Sequence, residues 1–321
     1  MKRALFAAFV VALTLLAAIS VPAWLHYSAD MVAARARTDS DGRMLSNGCT
    51  TMEYAERGSG TPVLVVHGAG GGFDQGLAFA QSLIGSDMQV IAPSRFGYLR
   101  TPAPADVSPQ AQADAFVCLL DALALERVTV IGASAGAPSA TQFCIRHAER
   151  CRALILLVPA AYSPAHAQKT MQTSRALQIV FDHVLSSDAV FWSMSRLWPG
   201  LLMRTVLGTP TAVFEQASDA ERKRALAILD GIQPVHARAR GLQIDARVTN
   251  ALPRYDLERI VAPTLAISLE DDLYGTFDNA AYSASQIAGA KFLSYPTGGH
   301  IWLGHDEELR SEIQQFVAQA P

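Results

Sequence analysis

The chain has little that points to nucleic acid, a metal or a redox scaffold. Lys and Arg number 26 against 29 Asp and Glu, for a formal net charge of -3. The basic residues stand singly or in pairs rather than in a stripe, so the electrostatic footprint of a nucleic-acid binder is missing. There are 4 cysteines, Cys49, Cys118, Cys144 and Cys151. They show neither the paired short spacing of a zinc site nor the density of a disulfide scaffold, and they are expected as core fillers. In an exported domain Cys144 and Cys151 could pair across a helix end and the next strand. Clustered metal ligands, internal repeats and the phosphate-binding pattern G-x-x-x-x-G-K-[ST] are all absent, so no metal and no cofactor is expected.

What is present is apolar: half of the 321 residues, enough to bury one large core. Lys2 and Arg3 precede an uncharged run from Ala4 to Leu25, whose 22 residues match the length of a helix spanning a bilayer. Val21, Pro22 and Ala23 also satisfy the small-residue rule of a signal-peptidase site. Residues 1–30 therefore read as an N-terminal membrane anchor or signal peptide. The rest of the chain is expected to be membrane-anchored or exported, facing the periplasm in a bacterium, with membrane contact if the segment is uncleaved.

Beyond the polar stretch Thr38 to Gly48, short β-branched runs alternate with longer helical patterns, as a mostly parallel sheet covered on both faces requires. Strands are predicted at 50–56, 62–67, 89–93, 128–131, 153–158, 264–268 and 291–295. The longest interruption, from Tyr162 to about Pro253, has helical periodicity and no convincing strand. The domain reading is a core of residues 43–161 and 254–321 with a helical lid, 162–253, inserted between its parts.

The most informative segment is Val128 to Ala140, where an apolar strand runs into Gly132-Ala133-Ser134-Ala135-Gly136 and then a helical pattern. A strand that reverses sharply into a helix exposes the serine hydroxyl, and the tight turn leaves room only for glycine at its flanks. A serine needs a base and a group to orient that base. Both are available on later loops: 264–268 leads into Leu269-Glu270-Asp271-Asp272, and 291–295 leads into Pro296-Thr297-Gly298-Gly299-His300. His300 is the preferred base over His305, which stands near the start of the terminal helix. Asp272 is the preferred acid, with Asp271 its competitor. Strand 62–67 runs into His67-Gly68-Ala69-Gly70-Gly71-Gly72, which can offer an oxyanion donor from Ala69 or Gly70; the second donor is expected from Ala135. His67 itself is expected to be structural.

Taken together, His67-Gly68, the turn Ala92-Pro93-Ser94-Arg95-Phe96-Gly97-Tyr98, the serine elbow, the Asp272 loop and Gly299-His300 resemble the α/β-hydrolase family, across roughly residues 50–161 and 254–319. The resemblance implies an α/β-hydrolase fold and catalytic roles for Ser134, Asp272 and His300. Leu269 departs from the glycine that often opens the acid loop. The implied chemistry is acyl transfer, most simply on a small-molecule carboxylic ester with an apolar portion. The alternatives are a C–C bond or amide hydrolase with the same triad, and a membrane-tethered binding protein on an inactive scaffold. An apolar acyl pocket could be lined by lid residues such as Phe181, Phe191, Trp192, Trp198, Met203 and Phe214, although such a stripe equally suits helix packing.

Overall fold

A computed structural model describes residues 2–85, 87–165, 186–250 and 252–320. Its centre is an eight-stranded sheet in the order β1-β2-β4-β3-β5-β6-β7-β8. The strands are β1 (Arg43–Ser46), β2 (Thr51–Arg57), β3 (Thr61–Val66), β4 (Met88–Pro93), β5 (Val128–Ala133), β6 (Cys151–Leu157), β7 (Thr264–Leu269) and β8 (Lys291–Tyr295). From β4 to β8 every neighbouring pair is parallel, while β1 and β2 add an antiparallel edge. The fold is thus the mostly parallel α/β arrangement expected from the sequence.

Alternation along the strands sorts side chains between two cores. Leu64 and Val66 of β3, with Val130 and Leu154, pack against helices α3 (Pro109–Ala122) and α4 (Ala137–Arg146) through Phe116, Leu119 and Phe143. Val63 and Val65 face the other way, with Ile131, Ile155 and Ile267. They are covered by α2 (Phe73–Leu83) and the C-terminal helix Asp306–Gln319 through Leu77, Leu83, Leu309 and Ile313. Because both faces are covered, the central strand β5 is buried at every residue.

The seven predicted strands are present, with β6 starting two residues earlier than 153 and β5 running on to Ala133. Strand β1 was not expected. It is four residues long, mostly exposed and at the sheet edge, so it has no apolar alternation to announce it. The cysteines differ from the core-filler expectation, while the bond between Cys144 and Cys151 is the pairing the sequence allowed for an exported domain. Rather than acting as unpaired fillers, Cys49 bonds to Cys118, joining the turn before β2 to α3, and Cys144 bonds to Cys151, joining the end of α4 to β6.

Between β6 and β7 the described residues form α5 (Asp188–Leu197), α6 (Pro199–Thr205), α7 (Thr211–Gln216), α8 (Asp219–Gly231) and α9 (Ala239–Thr249), and no strand. Phe191, Leu202, Met203, Phe214, Leu229 and Val235 make their own cluster, into which Ile301 and Leu303 also insert. The apolar stripe of this cap therefore serves largely as its internal packing. Phe181, His166 and His183 lie outside the described residues.

Helix α1 (Lys2–Ser40) contains the apolar run and continues well past it. Many of the run's side chains lie outside the described residues, and among the described residues no helix is long and apolar enough to cross a membrane. The expected anchor or signal segment falls largely on side chains outside the described residues. The second half of α1 docks instead: Met31 and Ala34 are buried, Asp30 accepts from Trp192 Nε1 at 2.7 Å, and Arg37 pairs with Asp74 at 3.1 Å.

The two disulfides close loops of very different length, with sequence separations of 69 and 7. Loop entropy then gives the longer the larger effect: Cys49→Ser with Cys118→Ser should cost about 4 kcal/mol, and Cys144→Ser with Cys151→Ser about 2 kcal/mol, in denaturant unfolding. Equal losses, or the reverse order, would contradict this.

Candidate active site

Strand β5 delivers Ser134 at the carboxyl edge of the sheet, where the chain turns into α4. Ser134 adopts a left-handed backbone, φ 48°. The neighbouring glycines are required by contact: a Cβ on Gly132 would lie 2.5 Å from Ala140 Cβ, and one on Gly136 would lie 2.4 Å from the His67 carbonyl oxygen. A left-handed non-glycine residue is energetically costly, and it persists here because both flanks are packed against neighbouring elements.

The loops after β7 and β8 meet this serine. His300 Nε2 is 2.8 Å from Ser134 Oγ, and His300 Nδ1 is 2.7 Å from Asp272 Oδ2. Asp272 is buried and receives two further hydrogen bonds, from Tyr274 N–H to Oδ1 at 2.8 Å and from the Thr276 hydroxyl to Oδ2. Its neighbour has a different task. Asp271 accepts from the backbone N–H groups of Gly298 and Gly299 at 3.1 and 2.8 Å, gripping the turn that presents His300. Both glycines have positive φ, which the tight approach needs. Adjacent aspartates thus orient the histidine ring and shape its backbone separately. Tyr274 adds an edge-on ring contact to His300 at 4.9 Å between centroids.

His305 is not part of this group; its ring stacks on Tyr295. His67 is buried and structural. Its Nδ1 lies 2.7 Å from the Gly68 carbonyl oxygen, while its Nε2 accepts from Arg95 N–H at 2.9 Å. Burial, aided by the Arg95 charge, pushes its pKa well below the usual histidine range and keeps the ring neutral.

The glycine-rich loop after β3 runs alongside the serine: a Cβ on Gly68 would sit 3.2 Å from Ser134 Cβ. Of its two candidate donors, Gly70 N–H is engaged by Tyr98 Oη at 3.2 Å. Among the described residues no acceptor takes Ala69 N–H. Ala135 follows Ser134 within the 3-10 turn Ser134–Gly136.

Buried ion pairs surround the loop. Arg95 donates to the carbonyls of His67 and Gly68 at 3.0 and 3.1 Å, and pairs bidentately with Asp245 at 2.6 and 2.7 Å. Arg238 donates to the Gly71 carbonyl at 2.5 Å and pairs with Asp74 at 2.7 Å. Burial alone would raise the Asp74 pKa, but Arg238 and Arg37 outweigh it and hold the carboxyl below its usual range. Little in the amino-acid pattern announces these partners. Arg95 and Tyr98 stood in a recognisable turn without an assigned role, and Asp245 and Arg238 were unremarkable polar positions in a helical stretch.

The chain belongs to the α/β hydrolase fold family, whose model matches residues 61–304. It is a hydrolase of that fold. It is 28% identical over 265 residues to the uncharacterized hydrolase YcgS of Bacillus subtilis, covering 80% of this chain and 90% of that protein. A 2-hydroxymuconate semialdehyde hydrolase of a Pseudomonas strain is 34% identical over 112 residues, 34% of this chain and 40% of the relative. Among solved structures, an α/β hydrolase fold protein from Nakamurella multipartita superposes with a TM-score of 0.64 at 26% identity, covering 86% of this chain and 98% of that one.

The two aspartates should separate by experiment. Asp272→Asn is expected to lower kcat by about four orders of magnitude, because the histidine loses the partner that fixes its tautomer. Asp271→Asn removes charge from two backbone hydrogen bonds, so its effect should fall mainly on stability, by about 1.5 to 3 kcal/mol. Turnover and thermal unfolding of both variants check this; equal losses of kcat would contradict it.

Proposed function

We propose that the chain is a serine hydrolase acting through an acyl-enzyme on small-molecule carboxylic esters. The observation that carries this reading is the continuous hydrogen-bonded path from Ser134 Oγ through His300 to Asp272, spanning 2.8 and 2.7 Å. With Nδ1–H donated to Asp272, His300 Nε2 is the lone-pair side and accepts the serine proton. Ser134 Oγ then attacks the ester carbonyl, and the oxyanion that forms receives the N–H groups of Ala69 and Ala135. His300 returns its proton to the departing alcohol. The same ring next takes a proton from water, which attacks the acyl-enzyme, and returns it to Ser134 Oγ as the C–Oγ bond breaks and the acid is released.

An apolar acyl or alcohol portion is the companion proposal. Ile232 of the cap lies against Gly70, within 3.3 Å of where a Cβ would stand, and Ile301 adjoins the base. The nearby guanidinium groups of Arg95 and Arg238 are each committed to a buried carboxylate and to loop carbonyls, which favours an uncharged reacting group. Export from the cytoplasm also belongs to this proposal, supported by two disulfides and by the charged start of the apolar run.

A second reading, C–C bond hydrolysis, has one specific observation behind it: the partial match to a 2-hydroxymuconate semialdehyde hydrolase. The same triad would attack an aldehyde or ketone carbonyl, and a carbon rather than an oxygen would leave.

Fluorophosphonate labelling with peptide mapping tests the mechanism. Label is expected on Ser134, and Ser134→Ala should lose aryl-ester turnover by about six orders of magnitude or to the detection limit. Label elsewhere, or none on the folded enzyme, would overturn it. For the substrate class, kcat/KM on a series of aryl esters should rise with acyl length and exceed that on a dienol diketone; preference for the diketone would establish the second reading.

A further inference from the structure

The oxyanion loop is held largely from the cap. Helix α9 contributes Asp245, which is only 4% exposed. Its two oxygens accept from Arg95 Nη1 and Nη2, and Oδ2 also accepts from Tyr98 Oη at 2.5 Å. Tyr98 in turn accepts from Gly70 N–H, and Arg95 reaches the His67 and Gly68 carbonyls. One cap carboxylate therefore sits behind three anchor points, at His67, Gly68 and Gly70, of the loop that follows β3. The helix is also fitted to this spot. A Cβ on Gly241 would lie 2.2 Å from the Tyr98 ring, and Ile244 Cδ1 would be 2.9 Å from one on Gly97.

We propose that Asp245 is a positioning residue for the reaction: it sets the direction of the Tyr98 hydroxyl and the Arg95 guanidinium, and through them holds the oxyanion loop with the Ala69 N–H free to meet the developing charge. This rests on the serine-hydrolase reading above. The orientation follows from donor and acceptor counting. A carboxylate can only accept, so Tyr98 gives its proton to Asp245 and turns a lone pair toward Gly70 N–H. Arg95 can only donate, so the loop carbonyls it binds are drawn to its side of the loop. Burial, with the adjacent Asp245 charge, raises the Tyr98 pKa well above the usual phenol range, so the hydroxyl keeps its proton throughout the working pH range. Seating of the cap and completion of the oxyanion site are thereby one event.

The test is Asp245→Asn, read in four ways on the full chain. The amide keeps the shape but has one acceptor oxygen: set at the Oδ2 position it still takes Arg95 Nη2 and Tyr98 Oη, while its NH2 group then faces the Arg95 Nη1 donor and the bidentate pair is broken. Expected is a fall in kcat of about tenfold to a hundredfold, below the loss for deleting a donor outright, with KM within about twofold. The Kd of an aryl trifluoromethyl ketone, which mimics the tetrahedral state, should rise in step with the fall in kcat. Hydrogen exchange of the peptide covering 67–73 should quicken, while fluorophosphonate still labels one serine per chain. Tyr98→Phe keeps the Arg95–Asp245 pair and should show the same pattern at smaller size; it carries the test if Asp245→Asn does not fold. Unchanged kcat per labelled serine, or equal weakening of a ground-state product and the trifluoromethyl ketone, would overturn the proposal. If the wild type itself fails to label at Ser134, it is the serine-hydrolase reading that fails, whereas a labelled and active wild type with indifferent variants refutes only the role of Asp245.

Discussion

A serine at φ 48° between two glycines that have no room for a Cβ is the constraint on which the rest of this molecule is arranged. The turn can exist only where a fully buried strand ends against the start of a packed helix, since an exposed chain would relax out of that conformation. Strand β5 therefore occupies the middle of the sheet with parallel neighbours on both sides, and α4 is buried along nearly its whole length. The carboxyl ends of β7 and β8 fall on the same edge, so the loops carrying Asp272 and His300 arrive without a long detour. Parallel winding thus converts three distant segments into one hydrogen-bonded line.

Much of this was legible because it is local. The strand-to-helix placement of Gly132 to Gly136 depends on a dozen residues, and the short apolar and aromatic runs before Asp271 and His300 announce their strands by composition. The Asp271/Asp272 ambiguity shows the limit. Nothing in the dipeptide distinguishes a carboxylate that faces an imidazole from one that faces two glycine amides; that choice is made by the turn at Gly298, more than twenty residues away. The pairing of Cys49 with Cys118, separated by 69 positions, is equally nonlocal. Strand β1 escaped for another reason: at an edge, with solvent on most of its side chains, it has no buried face to impose a period.

The cap illustrates how one composition supports two readings. Aromatic and aliphatic residues at helical spacing could line a pocket or fill a core, and Phe191, Leu202, Met203 and Phe214 fill a core. Beside the inserted Ile301 and Leu303, polar contacts join this small core to the main domain: Asp245 with Arg95, Arg238 with Asp74, and Tyr274 Oη on the Val206 carbonyl at 2.8 Å. Buried charged pairs are poor sources of net stability against apolar replacements of the same shape, yet they are unforgiving when one partner is lost. A joint made from them fixes orientation and leaves little tolerance for sliding. That suits a boundary running directly over the glycine-rich loop after β3.

The docked half of α1 has a practical side for anyone preparing this protein. Removing the apolar run by starting the chain at Ser40, where the helix ends, would also remove Met31 and Ala34 from their packing and Arg37 from Asp74. It would strip Asp30 from Trp192 and Arg196 on the cap as well. A shortened form that retains the native surface begins instead ahead of Tyr27, whose ring meets Trp192 edge-on at 5.6 Å. The segment that looks like a disposable leader thus ends several turns before the helix does, and the last of those turns belong to the enzyme.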